Sequence, residues 1–298
     1  MSMAIQSNAA QSGAPQSSAS GAADLASGKG HSDENFPVAS FLIAPQYRAP
    51  VLAFYRFARV ADDVSDSETA APEEKLAHLE IMRATLAGES DANPEALALR
   101  QVQDARGLSA QHGLDLLEAF RRDVTKLRYA DWADLMDYCR YSASPVGRFV
   151  LDVHGESRDA WPANDALCNA LQVINHLQDC AKDYRSLNRV YIPESHLRGA
   201  GLTVEALDAP QGSTALRGVI SDLARRTQVL LGQSKPFAGM IKDTRLRMEV
   251  AVIQRVAEDL TRRLIARDPL SERVHHTKAE AAALGLAAIA ALPFRRRR

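Results

Sequence analysis

Residues 51–66 read VLAFYRFARVADDVSD, and the apolar positions Val51, Leu52, Phe54, Phe57, Ala58, Val60, Ala61 and Val64 cover most of a helix. One stripe is acidic: Asp62 and Asp66 stand at i, i+4, with Asp63 beside them. Residues four apart stack on one helix face. A second run, LQVINHLQDCAKD over 171–183, has the same build and reads as one helix. Asn175, Asp179 and Asp183 recur every fourth residue, while Leu171, Ile174 and Leu177 lie on other rows. Stacked carboxylates repel by a few tenths of a kcal/mol in water, and by more in a packed setting unless a cation lies between them. A single DxxxD pair on a helix is usually a solvated face. Two of them, each on an otherwise apolar helix, would form one site for metal and diphosphate if the helices face each other. Oxygen-only ligands suit Mg²⁺, which takes one or two carboxylates and completes its shell with water and phosphate.

Apolar spacing and Pro/Gly punctuation lay out the rest of the chain as helices. A short first helix is expected over 40–42, stopping before Pro45, and a second begins near Pro50 and carries the first acidic stripe. Further helices are expected over 72–88, 94–112, 114–129, 132–141 with Asp131 as cap, and 145–154, where Gly147 allows close helix approach. Asn164 or Asp165 is expected to cap the helix of the second stripe. Residues 184–201 are irregular, and helices over 213–232, 237–265 and 275–292 complete the chain. No alternating strand, internal repeat or domain linker is evident. The expected fold is all-α: one domain over 33–298, a helical bundle around a central cavity. Residues 1–32, poor in large apolar side chains, cannot offset their ordering entropy and are expected to be a disordered tail.

Composition narrows the classes. The chain has 298 residues, 46% hydrophobic and 6% aromatic, with a net charge of −1. That balance gives no global basic field for nucleic acid. Cys139, Cys168 and Cys180 are odd in number and lack CxxC spacing, which argues against disulfides and zinc. No GxGxxG follows a strand, and neither GxSxG nor HExxH is present, so no redox cofactor or serine hydrolase site is read. Residues 281–294 are apolar nearly all round and precede four arginines, 295–298. The run is shorter than the about 20 residues that span a bilayer. It is either a buried last helix or a peripheral contact with anionic lipid.

A diphosphate needs cationic donors as well as metal. Arg59 lies one turn before Asp62 and Tyr55 one turn before Arg59, so both can face the same site. Arg59 serves as a forked phosphate donor or as an internal salt-bridge partner of Asp62 or Asp63, and the two roles can coexist. Lys182, Arg185 and Arg189 are further donors, expected on a loop past the second stripe. Tyr138, Tyr141, Ser142 and Gly147, in YCRYSASPVG, line a cavity or pack the core. His154, His176 and His196 have no ligand spacing and read as ordinary histidines. Taken together these features point to ionisation of an allylic or cyclopropylcarbinyl diphosphate, with apolar walls holding a carbocation away from stray water.

The motifs DDVSD (62–66), YCRYSASPVG (138–147), NHLQDCAKD (175–183) and NRVYIP (188–193) resemble the squalene/phytoene synthase family over about 35–265. The opening ENFPVAS (34–40) is similar to its hydroxysqualene-forming branch. The resemblance implies conversion of presqualene diphosphate and water to hydroxysqualene and diphosphate, without NADPH. The alternatives are head-to-head condensation of two prenyl diphosphates and, from another class, a non-catalytic helical assembly factor that kept the fold. It implies two or three Mg²⁺ ions held through Asp62, Asp66, Asn175, Asp179 and Asp183, with Asp63 less direct. It puts Tyr55, Arg59, Arg189 and Tyr191 near the diphosphate and Gln172 in a polar part of the pocket. It further implies a cytoplasmic protein, peripheral to the inner membrane, that exchanges substrate and product with neighbouring pathway enzymes. One departure stands out: related condensing enzymes often carry a Tyr in the late helix, and this sequence has no Tyr after Tyr191.

Overall fold

The computed structural model of the chain describes residues 43–292. Among them are thirteen α-helices and no strand, with one isolated bridge between Arg128 and Val190. The tail over 1–32, the ENFPVAS opening, the helix expected over 40–42 and the arginines 295–298 lie outside the described residues.

Helix α1 (Pro45–Asp66) starts earlier than expected and carries Pro50 inside it. Proline has no N–H, so the Gln46 carbonyl one turn back loses its helical partner. Arg106 supplies the replacement, donating from Nη2 to the Gln46 oxygen at 2.8 Å. Helix α2 (Pro72–Leu86) begins on Pro72 with Glu73 and Glu74 in its first turn, as the punctuation predicts. Helix α3 (Pro94–Arg106) is capped by Asn93 and ended by Gly107 in the left-handed region, φ 63°. The helix expected over 94–112 therefore stops short, and α4 (Gln111–Thr125) begins past the turn. Helices α5 (Trp132–Ser142, capped by Asp131) and α6 (Ser144–His154) follow.

Helix α7 (Trp161–Gln178) starts before Asn164 and Asp165, so neither residue caps it. Asn164 is buried within the helix, and Asp165 is tied to Arg148 on α6. The single run expected over 171–183 is broken at Asp179 (φ −102°, ψ 7°), and α8 (Cys180–Leu187) follows the break. The bonds Asp179 N–H to Asn175 O (2.9 Å) and Asp183 N–H to Asp179 O (2.8 Å) survive, so the break keeps the acidic stripe on one side.

The irregular stretch contains a short α9 (Glu194–Gly199), after which α10 (Thr214–Ser234) starts from the Ser213 cap. The helix expected over 237–265 is two, α11 (Phe237–Met240) and α12 (Thr244–Ala266). Buried Glu156, after α6, accepts the backbone N–H groups of Lys242 and Asp243 and holds the break open. Helix α13 (Lys278–Ala290) closes the described chain on a capping box of Thr277 and Glu280. Among the described residues no helix is long and apolar enough to cross a membrane.

Two apolar clusters form the core. One gathers Phe57, Leu79, Leu99 and Leu117 from α1–α4, and the other Leu135, Ile174, Leu223 and Leu260 from α5, α7, α10 and α12. Each fully buried side chain of this kind contributes roughly 1.5–3 kcal/mol. Helix α7 is the central strut, packed on α5, α6, α10 and α12. At the seam Phe54 of α1 stacks on Phe149 of α6, centroids 4.2 Å apart. Between the clusters lies one large cavity.

Candidate functional site

The cavity has a volume of about 1170 Å³, above the roughly 300–1,000 Å³ usual for small-molecule pockets. Its apolar wall includes Val51, Phe54, Leu116, Phe149, Leu167 and Ile253. Both acidic stripes open into it: Asp62, Asp63 and Asp66 from α1, and Asn175, Asp179 and Asp183 from α7 and α8. The helices do face each other. Burial first, and then the charges of Asp179 and Asp66, push the Asp183 carboxyl up to about 7. The field of Asp66 at Asp183 spans the two motifs, and such crowding of acids favours a cation.

Among the described residues no three His, Cys, Asp or Glu side chains converge on a closed metal position. The donors are oxygens on an open wall, which matches an ion that takes few protein ligands and keeps waters and phosphate. The donor set therefore fits Mg²⁺ bound together with a diphosphate.

Arg59 is half-committed to its own helix. Nη1 reaches Asp62 Oδ2 at 3.3 Å and Nη2 reaches Asp63 Oδ1 at 2.6 Å, and the side chain lines the cavity beside Tyr55. Arg189 is a brace rather than a free phosphate donor. It is buried and donates to Asp66 Oδ1 (2.5 Å), Ser65 O (2.7 Å) and Asp123 O (2.9 Å). Lys182 lies exposed on the cavity rim, whereas Arg185 turns away to Asp208 at 2.9 Å; both sit on α8 and not on a loop. Gln172, Tyr138 and Tyr191 line the cavity. Tyr141 does not: its ring lies under the guanidinium groups of Arg122 (4.4 Å) and Arg140 (4.9 Å). Helix periodicity puts Tyr138 inward, and Tyr141 lies one residue off that row.

Three wall residues have a place that the sequence does not assign them, and of these only His176 is named there, as an ordinary histidine. Asp123 of α4 is buried and accepts the Tyr138 hydroxyl at 2.8 Å on one oxygen and the Tyr191 hydroxyl at 2.7 Å on the other. Burial pushes its carboxyl up to about 6, against the pull of Arg189 and the two hydroxyls. Its signal was present in the sequence, because Leu116, Phe120 and Asp123 form an i, i+4, i+7 row that puts an acid on an apolar face. His176 stacks on Tyr191 with centroids 3.5 Å apart, and burial lowers it to about 3, so the ring is neutral. Glu249 of α12 is the third. Gly147, flagged for close approach, does allow it: a Cβ there would lie 2.0 Å from Asn164 Oδ1 and 2.7 Å from Cys168 Sγ.

The squalene/phytoene synthase family model matches residues 29–280. The chain is 60% identical over 272 residues to a hydroxysqualene synthase from Zymomonas mobilis, covering 91% of each chain. It is 55% identical over 254 residues to one from Rhodopseudomonas palustris, covering 85% of this chain and 87% of that one. The crystal structure of squalene synthase HpnC from Alicyclobacillus acidocaldarius superposes with a TM-score of 0.67 at 32% identity, covering 82% of this chain and 90% of that one. With its two acidic stripes, its helical bundle and these relatives, the chain belongs to the squalene/phytoene synthase family.

Proposed function

We propose that this protein is a carbon–oxygen lyase that converts presqualene diphosphate and water into hydroxysqualene and diphosphate with the help of Mg²⁺. The observation that carries this is the pair of acidic stripes facing each other at one large cavity with an extensive apolar wall. The hydroxysqualene synthases of 60% and 55% identity favour that outcome over condensation.

Asp62, Asp66, Asn175, Asp179 and Asp183, with Asp63 alongside, would hold the metal. Bound there, Mg²⁺ would supply positive charge against the leaving diphosphate. Arg59 holds Asp62 and Asp63 in register, and Lys182 on the rim adds positive charge where phosphate oxygens emerge. Arg189 fixes Asp66. Tyr55 and Gln172 mark the passage from the acidic wall to the apolar one. The aliphatic and aromatic lining then shields the rearranging cation from bulk water.

Two incubations with Mg²⁺ test this, one with presqualene diphosphate and one with farnesyl diphosphate. Hydroxysqualene from the first, with the second untouched, is the expected result. A C30 product made from farnesyl diphosphate makes the protein a condensing synthase. No turnover in either makes it a non-catalytic member of the fold.

We also propose cytoplasmic work at the periphery of the inner membrane, with substrate and product passed between neighbouring pathway enzymes. The product is a lipid, and α13 leaves Leu286 72% exposed, with four arginines following later in the sequence. Pelleting with anionic vesicles that Leu286→Glu abolishes supports this contact, and absence of pelleting removes it.

A further inference from the structure

The segment between α12 and α13, residues 267–277, has no regular structure yet is fastened at both ends. At its start buried Asp268 accepts the Gly212 N–H at 2.7 Å and the Ser271 hydroxyl at 2.8 Å. Near its end Val274, 1% exposed, packs into the larger apolar cluster. His276 then meets Asp259 of α12, Nε2 to Oδ2, at 2.8 Å. Irregular backbone held on a rigid scaffold is where functional side chains are commonly placed.

The side chain placed here is His275, which sits between the Val274 and His276 anchors and lines the cavity. It is half-buried, and among the described residues it makes no hydrogen bond, ion pair or ring contact. Burial lowers its pKa below the ordinary 6.5; the charge of Asp179 pulls it up, and Arg273, His276 and Lys182 push it down. Those fields locate the ring at the acidic end of the cavity, beside the second stripe and the lysine on the rim. A neutral imidazole carries one N–H donor. No group of the described chain accepts that donor, whereas phosphate oxygens at the acidic end are strong acceptors.

We propose that His275 binds the substrate's diphosphate, donating its ring N–H to a phosphate oxygen; this rests on the diphosphate site proposed above, and not on which C30 product is formed. The diphosphate is then bracketed by three stretches of chain: α1, α7 with α8, and the segment before α13. As the carbon–oxygen bond breaks, its electron pair goes to the departing diphosphate oxygen. A donor already aimed at that group gains strength as the charge develops. The proton stays on the ring throughout, so His275 exchanges nothing with the substrate.

The test uses the full chain. Inorganic diphosphate with Mg²⁺ is titrated calorimetrically into wild type, His275→Ala and His275→Gln, and thermal unfolding checks the fold. The expected result is diphosphate binding weakened by about tenfold in His275→Ala and partly restored in His275→Gln, whose amide keeps an N–H donor. The KM of presqualene diphosphate rises in parallel. Equal affinity in wild type and His275→Ala overturns the role of His275. A loss that His275→Gln does not lessen overturns the hydrogen bond. A loss that excess Mg²⁺ abolishes overturns it too, since His275 then acts through the metal. Should His275→Ala not fold, His275→Leu carries the same readouts. Failure of wild type to bind inorganic diphosphate removes the proposed site and His275 with it, whereas failure at His275 alone leaves the site standing.

Discussion

Arg189 and Asp66 are 123 residues apart in the chain and 2.5 Å apart in space, Nη1 to Oδ1. The same guanidinium holds the Ser65 carbonyl at the end of α1 and the Asp123 carbonyl on α4. The segment leaving α8 is thereby pinned to the end of α1. Since α8 carries Asp183 and α1 carries Asp66, one side chain sets the spacing of the two acidic stripes.

Arg189→Lys keeps the charge and loses the fork, since an ammonium cannot reach three acceptors in three directions. Two buried carbonyls then lose their donor, at about 1–3 kcal/mol each. The expected outcome is a lower unfolding midpoint in urea together with at least roughly tenfold slower turnover. Wild-type turnover in this variant would show that the brace does not set the spacing.

Gly147→Ala tests the packing beneath the cavity. The new methyl would sit 2.0 Å from Asn164 Oδ1, and Asn164 is buried. Overpacking of this kind costs about 1–3 kcal/mol. Because Cys168 Sγ is the next neighbour and lines the cavity, the strain also reaches the pocket wall. Loss of stability with weakened substrate affinity is expected in calorimetry and steady-state kinetics; a stability equal to wild type contradicts the close approach.

The acidic stripes were legible because a four-residue period on an apolar helix survives any tertiary context. Helices opened by local chemistry were legible too: Pro72 with Glu73 and Glu74, Asp131 before α5, Ser213 before α10. What escaped depends on distant partners. Pro50 looks like a helix start until Arg106 covers the carbonyl it orphans. The break before α12 is held by Glu156, 86 residues away from Lys242. An acid such as Asp123 has no assigned role until its partners are known. Its meaning comes from Tyr138 and Tyr191, both supplied by other parts of the chain.

Asp179 occupies the break between α7 and α8, yet its side chain makes no capping hydrogen bond to α8. It lines the cavity instead. Asp179→Asn therefore changes charge with little change in fold. An unfolding temperature close to wild type is expected, with turnover down by about a hundredfold or more, the scale of losing one electrostatic stabiliser of a departing group. Retained turnover would remove the second stripe from the active site.

Asp123 gives the protein a pH signature of its own. Its carboxyl stands at about 6 in the folded chain against an ordinary 3.8, with burial as the largest cause. The native state thus holds a proton that the unfolded chain releases. Stability from this group is fully present below the unfolded value and is lost as pH rises through about 6. Between pH 4 and 7 the loss amounts to about 2–3 kcal/mol. Asp123→Asn cannot titrate and lacks this slope. Urea unfolding of both proteins at pH 4, 5, 6 and 7 is the measurement: wild type minus variant should fall steadily as pH rises. A flat difference would mean that the two tyrosine hydroxyls and Arg189 stabilise the carboxylate enough to cancel its burial.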